Sequence, residues 1–325
     1  MSNAASDSRS TGATGSLQQC ADGVLMIRPA GFDWNPETAA SNRFQRDGGA
    51  REPGATGALA VAEFDALASA LRATGVATHA LDEPAGRPCP DAVFPNNWVS
   101  FHHDGTVVLY PMMAPSRRLE RRPELLAELE QRGGYAVSRL LDLTHHELSG
   151  RFLEGTGSVV FDHAGRAAYA CLSPRTNADV LGELCDEIGY QPVTFEATDA
   201  DGVSIYHTNV LLSIGRRSVI VCAEALPAGQ RAPLLERLRA TGREVVAIDR
   251  AQMAAFAGNV LELGTRDGGA VLAMSARALR SLGMSTLERL QACVRQVVAV
   301  PVPTIETLGG GSVRCMLAEV FLPCR

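Results

Sequence analysis

The 325-residue sequence contains no lysine, so all 30 of its basic side chains are arginine. That absence reads as the codon bias of a GC-rich bacterial genome rather than a functional signal. Against 36 acidic residues the formal charge is −6, and no basic stripe with interleaved aromatics offsets it, which argues against a nucleic-acid-binding role. No uninterrupted apolar run is long enough to cross a bilayer, and no basic-then-apolar leader opens the chain. A cytoplasmic protein acting on a small molecule is therefore expected, with no membrane partner. CxxC pairs are missing as well. The eight cysteines (20, 89, 171, 185, 222, 293, 315 and 324) are scattered, so reduced thiols are expected, most of them small buried hydrophobes such as Cys171 and Cys222 inside apolar runs.

What is present is a large apolar fraction, 46%, enough for a sizeable core. Residues 1–22 begin rich in Ser, Ala, Gly and Thr without periodicity and are expected to form a disordered tail, leaving 23–325 as one catalytic domain. Apolar residues at i, i+3 and i+4 predict helices over 59–73, 123–132, 177–188, 232–241 and 285–294. Pro123 opens the second of these, and a Ser285…Glu288 capping box is expected to open the last. Each helix is followed by a short strand-like run, and each run by an apolar hairpin headed by polar residues.

The five hairpin segments begin NNWVSF, EGTGSVV, HTNVLLS, GNVLEL and GSVRCML. With Asn97, Glu154, His207, Asn259 and Cys315 as markers the spacings are 57, 53, 52 and 56 residues. A period of this size means one supersecondary unit repeated. The fifth unit lacks its second hairpin strand, while GVLMIRP at 23–29 is a strand without a hairpin, so the start can complete the end. The expected fold is a five-bladed, pseudo-five-fold α/β propeller closed by the N-terminal strand, with the markers converging at one mouth of its channel.

A thiol, an imidazole and a carboxylate around one cavity form a covalent-catalysis set: the thiolate attacks an electrophilic carbon and the imidazole moves protons. Taken singly, Glu154 could cap a turn and His207 could be a satisfied core histidine; their recurrence at matching places in the repeat favours the chemical reading. Other motifs fail. GTGSVV at 155–160 enters a strand rather than a helix and is rejected as a dinucleotide fingerprint. His102-His103 and His145-His146 are adjacent pairs whose rings would diverge on a strand, so no metal site is expected.

FPNNW (94–98), FLEGTG (152–157), YHTNV (206–210) and GGGSVRC (309–315), with the loop FDWNPETAASNRFQ (32–45), resemble the motifs of the guanidino-group-modifying superfamily. That superfamily includes arginine deiminases, dimethylarginine hydrolases and amidinotransferases, and the branch resembled most is that of the arginine deiminase-related citrulline hydrolases. The resemblance implies a pentein-type propeller, Cys315 as nucleophile, His207 as general acid and base, Glu154 beside it contacting substrate nitrogen, and no cofactor. Where deiminases carry aspartates this chain has Asn96-Asn97 and Asn209. A guanidinium offers only N–H donors and suits carboxylates, whereas a neutral ureido group presents a carbonyl that an amide can serve. The expected reaction is hydrolysis of citrulline to ornithine, ammonia and carbon dioxide, with a protonated His207 lowering the thiol pKa and Arg43 receiving the substrate carboxylate. An arginine deiminase-like hydrolase and a non-catalytic ligand-binding propeller are the alternatives. Only one of Asn96 and Asn97 is expected to face the site, and a homodimer is compatible with the sequence.

Overall fold

The computed structural model describes residues 17–47, 49, 54–83 and 89–325. Fifteen short strands, β1 (Gly23–Arg28), β2 (Ala77–Asp82), β3 (Val99–Phe101), β4 (Thr106–Leu109), β5 (Arg139–Asp142), β6 (Val159–Asp162), β7 (Ala167–Cys171), β8 (Gln191–Phe195), β9 (Leu212–Ile214), β10 (Ser218–Val221), β11 (Glu244–Ala247), β12 (Leu261–Gly264), β13 (Ala270–Ser275), β14 (Gln296–Val300) and β15 (Ala318–Val320), form five three-stranded sheets. Four are continuous in sequence: β3-β4-β5, β6-β7-β8, β9-β10-β11 and β12-β13-β14. In each the first two strands are an antiparallel hairpin and the third runs parallel to the second. A parallel neighbour needs a crossover, and a helix supplies it each time: α2 (Glu124–Gly133), α3 (Ala178–Ile188), α4 (Ala228–Arg239) and α5 (Met284–Gln291).

The fifth sheet is assembled from both ends of the chain. β15 lies antiparallel to β1, with Gly23 opposite Val320 and Leu25 opposite Ala318, and β1 runs parallel to β2 through the crossover helix α1 (Ala55–Ala73). The N-terminal strand thus supplies the hairpin partner that β15 lacks.

The first strands of the four continuous hairpins are buried along their whole length, each enclosing one polar side chain (Ser100, Asp162, Ser213 and Glu262) among apolar ones, while β5, β8 and β11 are largely exposed. The crossover helices bury one stripe, as Phe64, Leu67 and Leu71 do in α1 and Val180, Leu181 and Leu184 in α3. Asn177 caps α3 by accepting from the amides of Asp179 and Val180. α5 starts differently from expectation. Gly283 holds its N-cap without a side-chain bond, so the Ser285…Glu288 box does not form.

Residues 17–22, within the segment expected to be a tail, belong to the described structure. Gln19 donates to the carbonyls of Phe161 and Ile214, Cys20 and Ala21 are buried, and the carbonyls of Ala21 and Asp22 accept from Gly264 and Ala77. Residues 1–16 lie outside the described residues. Among the described residues no helix is long and apolar enough to cross a membrane.

Candidate active site

Four of the five markers sit in a short helical turn just ahead of a hairpin's first strand. Asn97 ends the 3₁₀ turn Pro95–Asn97, Glu154 and His207 hold the N-cap positions of Gly155–Ser158 and Thr208–Val210, and Cys315 lies within Val313–Met316. Asn96 and Asn97 therefore lie in a turn rather than on a strand. These turns come together: Gly155–Ser158 packs against both Pro95–Asn97 and Thr208–Val210, and Val313–Met316 packs against Pro95–Asn97. Gly155 shows how tightly. Its φ is +46°, and a Cβ there would lie 2.1 Å from the Asn96 carbonyl oxygen, so the LEGTG motif needs glycine for both conformation and space.

Cys315 and His207 line one cavity together with Asn97, Asp91, Arg117, Arg175 and Tyr206. Glu154 lies directly behind the histidine, its Oε2 2.8 Å from His207 Nε2. Fully buried, it also accepts from the Met113 amide at 3.0 Å and lies 3.4 Å from Arg175 Nη1. Burial alone would push this carboxyl up. Arg175, the His207 bond and Arg117 outweigh it and hold Glu154 below the ordinary carboxylate range. An ionised carboxylate only accepts, so His207 must carry its proton on Nε2. Nδ1 is then the lone-pair nitrogen. It lies on the side of Gly157, where an added Cβ would come within 2.7 Å of it and 2.5 Å of Asn97 Nδ2.

Burial pulls His207 down to about 4, with the Glu154 bond working the other way. The ring is therefore neutral at pH 7, and the protonated His207 expected to lower the thiol pKa is not the resting form. The hydrogen-bond partners of the thiol are amides. Asn259 Nδ2 lies 3.2 Å and Asn209 Nδ2 3.5 Å from Cys315 Sγ, with Asn209 Oδ1 at 3.7 Å. Asn259 also donates to the Asn209 carbonyl at 3.0 Å, which fixes the two amides relative to each other.

Of the asparagine pair, Asn97 lines the cavity and accepts from Arg117 Nη1 at 2.7 Å. Asn96 is buried away from it, and both polar atoms of its side chain are enclosed without a partner. Arg43 is half exposed and pairs with Asp199 at 3.2 Å and Asp201 at 3.0 Å, outside the cavity that holds Cys315.

Two arginines that sequence reasoning missed stand at the cavity instead. Arg117 is buried and makes a bidentate pair with Glu120, 2.9 Å for each bond. Arg175, also buried, reaches the Ser41 hydroxyl at 2.6 Å and the Thr38 carbonyl at 2.8 Å and lies over the Tyr206 ring. Asp91 is buried beside them, accepting from Asn35 Nδ2 at 2.7 Å and lying 3.8 Å from Arg117. The loop 32–45 forms the wall over these groups. Asn35 caps the short helix Pro36–Ala39, and Asn42 donates to the Gly310 carbonyl at 3.2 Å, pinning the loop to the glycine run before Cys315. The NPET start of that helix was the one legible signal here.

A model of the family described as N,N dimethylarginine dimethylhydrolase, eukaryotic, matches residues 28–322. The chain belongs to that family. Solved structures agree on the fold. The N-terminal domain of ArgZ, an arginine dihydrolase from the ornithine-ammonia cycle in cyanobacteria, solved as a mutant bound to substrate, matches with a TM-score of 0.70 at 17% identity, covering 92% of this chain and 99% of that one. Unliganded AgrE gives 0.70 at 19% identity, covering 93% of this chain but 40% of its own. A dimethylarginine dimethylaminohydrolase variant, solved as its adduct with S-methyl-L-thiocitrulline, gives 0.63 at 16% identity, covering 92% of this chain and 99% of that one. At such identities the likeness establishes the α/β pentein fold. No curated protein sequence matches the chain.

Proposed function

We propose that this member of the family is a cysteine-dependent hydrolase of the ureido group of citrulline, built as a five-bladed propeller closed by the β1–β15 pairing. The observation that carries the reading is the amide character of the thiol's surroundings. Asn209 and Asn259 are the hydrogen-bond partners of Cys315 Sγ and Asn97 lines the same cavity. Amides both donate to a carbonyl oxygen and accept from N–H, which suits a neutral ureido head.

In the proposed reaction His207 takes the Cys315 proton as a neutral base, and the thiolate forms a C–S bond to the ureido carbon. The tetrahedral species collapses by breaking one C–N bond, the departing amine receiving its proton from His207. His207 then deprotonates water, which attacks the thio-linked carbonyl and restores the thiol. The resulting carbamate breaks down, so one citrulline and one water give ornithine, ammonia and carbon dioxide. Glu154 fixes the ring's tautomer and stabilises the imidazolium as it forms. For the substrate carboxylate Arg175 is the better candidate than Arg43. Its Nε and Nη2 bond the neutral oxygens of Ser41 and Thr38, which a carboxylate outcompetes through charge-assisted bonds.

A guanidino substrate is the second reading, favoured by the family match and by the Asp91 carboxylate at the cavity. Parallel assays on citrulline and arginine separate the two. Ornithine from citrulline, with arginine turned over at least about 100-fold less efficiently and activity falling by about 10³ or more in Cys315→Ser, is the expected result. Turnover of arginine at equal efficiency moves the assignment to the second reading, and full activity in Cys315→Ser removes the thiol mechanism.

A further inference from the structure

The adjacent histidines at 145 and 146 do not lie on a strand. They sit in the 3₁₀ turn Thr144–Ser149, and their ring centroids are 4.1 Å apart. Both rings reach one carboxylate of α3: His146 Nε2 is 2.8 Å from Glu183 Oε2 and His145 Nε2 is 3.9 Å from Glu183 Oε1. One ligand atom from each of the three residues falls within 4.8 Å of the other two. Tetrahedral coordination with bonds of about 2.0–2.1 Å places ligand atoms about 3.3–3.4 Å apart, a spacing that lies within the reach of these three side chains.

The surrounding contacts set this cluster apart. Asp179, Glu183 and Glu187 lie at i, i+4 and i+8 on one face of α3, and each meets a basic group from the segment 139–151. Arg151 lies 3.8 Å from Asp179, and Arg139 2.8 Å from Glu187. The outer rungs are guanidinium–carboxylate pairs, in which the guanidinium is permanently charged and has no lone pair to give a metal. The middle rung alone uses imidazoles, whose neutral form offers a nitrogen lone pair to a metal. Its histidines lie on one side of a junction between two consecutive repeats and its carboxylate on the other.

We propose that His145, His146 and Glu183 form a facultative site for a divalent transition metal of the zinc class, with water completing the coordination. The ion would replace the ring proton on His146 Nε2 and tie the turn 144–149 to α3. Coordination there moves the His146 proton to Nδ1, which is enclosed without a partner. That cost makes the site a weak one, loaded when metal is supplied rather than permanently filled.

The test uses tag-free full-length protein carrying Cys315→Ser and Cys324→Ser, so that neither the active-site thiol nor the exposed one can take the ion. After chelation and dialysis, Zn²⁺ is titrated by calorimetry, with a parallel melting scan and a Co²⁺ absorption spectrum. The expected result is one equivalent per chain, a raised Tm and ligand-field bands of a four- or five-coordinate ion. His145→Ala and Glu183→Gln, chosen because both side chains are solvent-accessible and the variants should fold, are each expected to weaken binding by at least about 10-fold. No binding, or binding of unchanged strength in both variants, overturns the proposal.

Discussion

At the scale of single residues, the site is governed by which groups are kept neutral. His207 is enclosed and pulled down to about 4, so its resting ring is neutral, as the proposed role of base requires, while Glu154 is held ionised behind it by Arg175 and the His207 bond. The same physics acts on His102, buried with Nε2 2.8 Å from the Ser100 hydroxyl and likewise pulled down by burial to about 4. The sign follows from linkage. Below its unfolded value of about 6.5 such a histidine binds protons in the unfolded chain but not in the folded one, so its stabilisation is complete above that pH and declines as pH falls towards 4. The His102→Gln variant should therefore lose less stability than the parent between pH 7 and pH 5, by about 2 kcal/mol at 1.36 kcal/mol per unit. Urea unfolding at the two pH values measures this, and an identical loss in both proteins would contradict the neutral buried ring. Cys315, His207 and Glu154 were legible because each heads a hairpin at a repeating interval. Arg117 and Arg175 were not: with 30 arginines in the chain and no lysine for contrast, nothing in a linear reading marks the two that are buried at the cavity.

At the scale of elements, stability at the helix starts is local and separable. Asn177 satisfies two otherwise unpaired amides of α3, so Asn177→Ala should lower the unfolding free energy by about 1 kcal/mol, seen as a lower denaturant midpoint at unchanged slope. An unchanged midpoint would mean that water serves those amides equally well. The helix and strand runs were readable from periodicity, and α1 and α3 bury the residues their patterns select. The misreadings came from turns. Ser285 fits a capping box by spacing, but Gly283 takes the extended cap conformation two residues earlier. His145 and His146 were read as strand neighbours, whereas both lie in a 3₁₀ turn in which consecutive side chains need not diverge to opposite faces. Within such a turn the geometry has no short sequence period to betray it.

For the whole molecule, the decisive contact is the antiparallel pairing of β1 with β15, which an odd strand at one end and an incomplete hairpin at the other announced in advance. Leu25 is completely buried opposite Ala318 in that sheet. Replacing Leu25 with Asp places an unpaired charge there and should destabilise the protein by at least about 3 kcal/mol, with loss of a single cooperative unfolding transition or of soluble expression. A melting curve superposable on the parent's would show that the two ends contribute nothing to the fold.

The same pairing sets an order of events during synthesis. β1 emerges from the ribosome first and can join β2 early, but its other edge stays open until β15, nearly three hundred residues later, has been made. Contacts between such distant segments form slowly, and an open strand edge is exposed to pairing with other chains meanwhile. Cys315 lies three residues before β15, in a turn anchored to that late strand. A nascent chain can therefore hold Glu154 and His207 long before Cys315 joins them, and on the proposed mechanism any chain released early is inert.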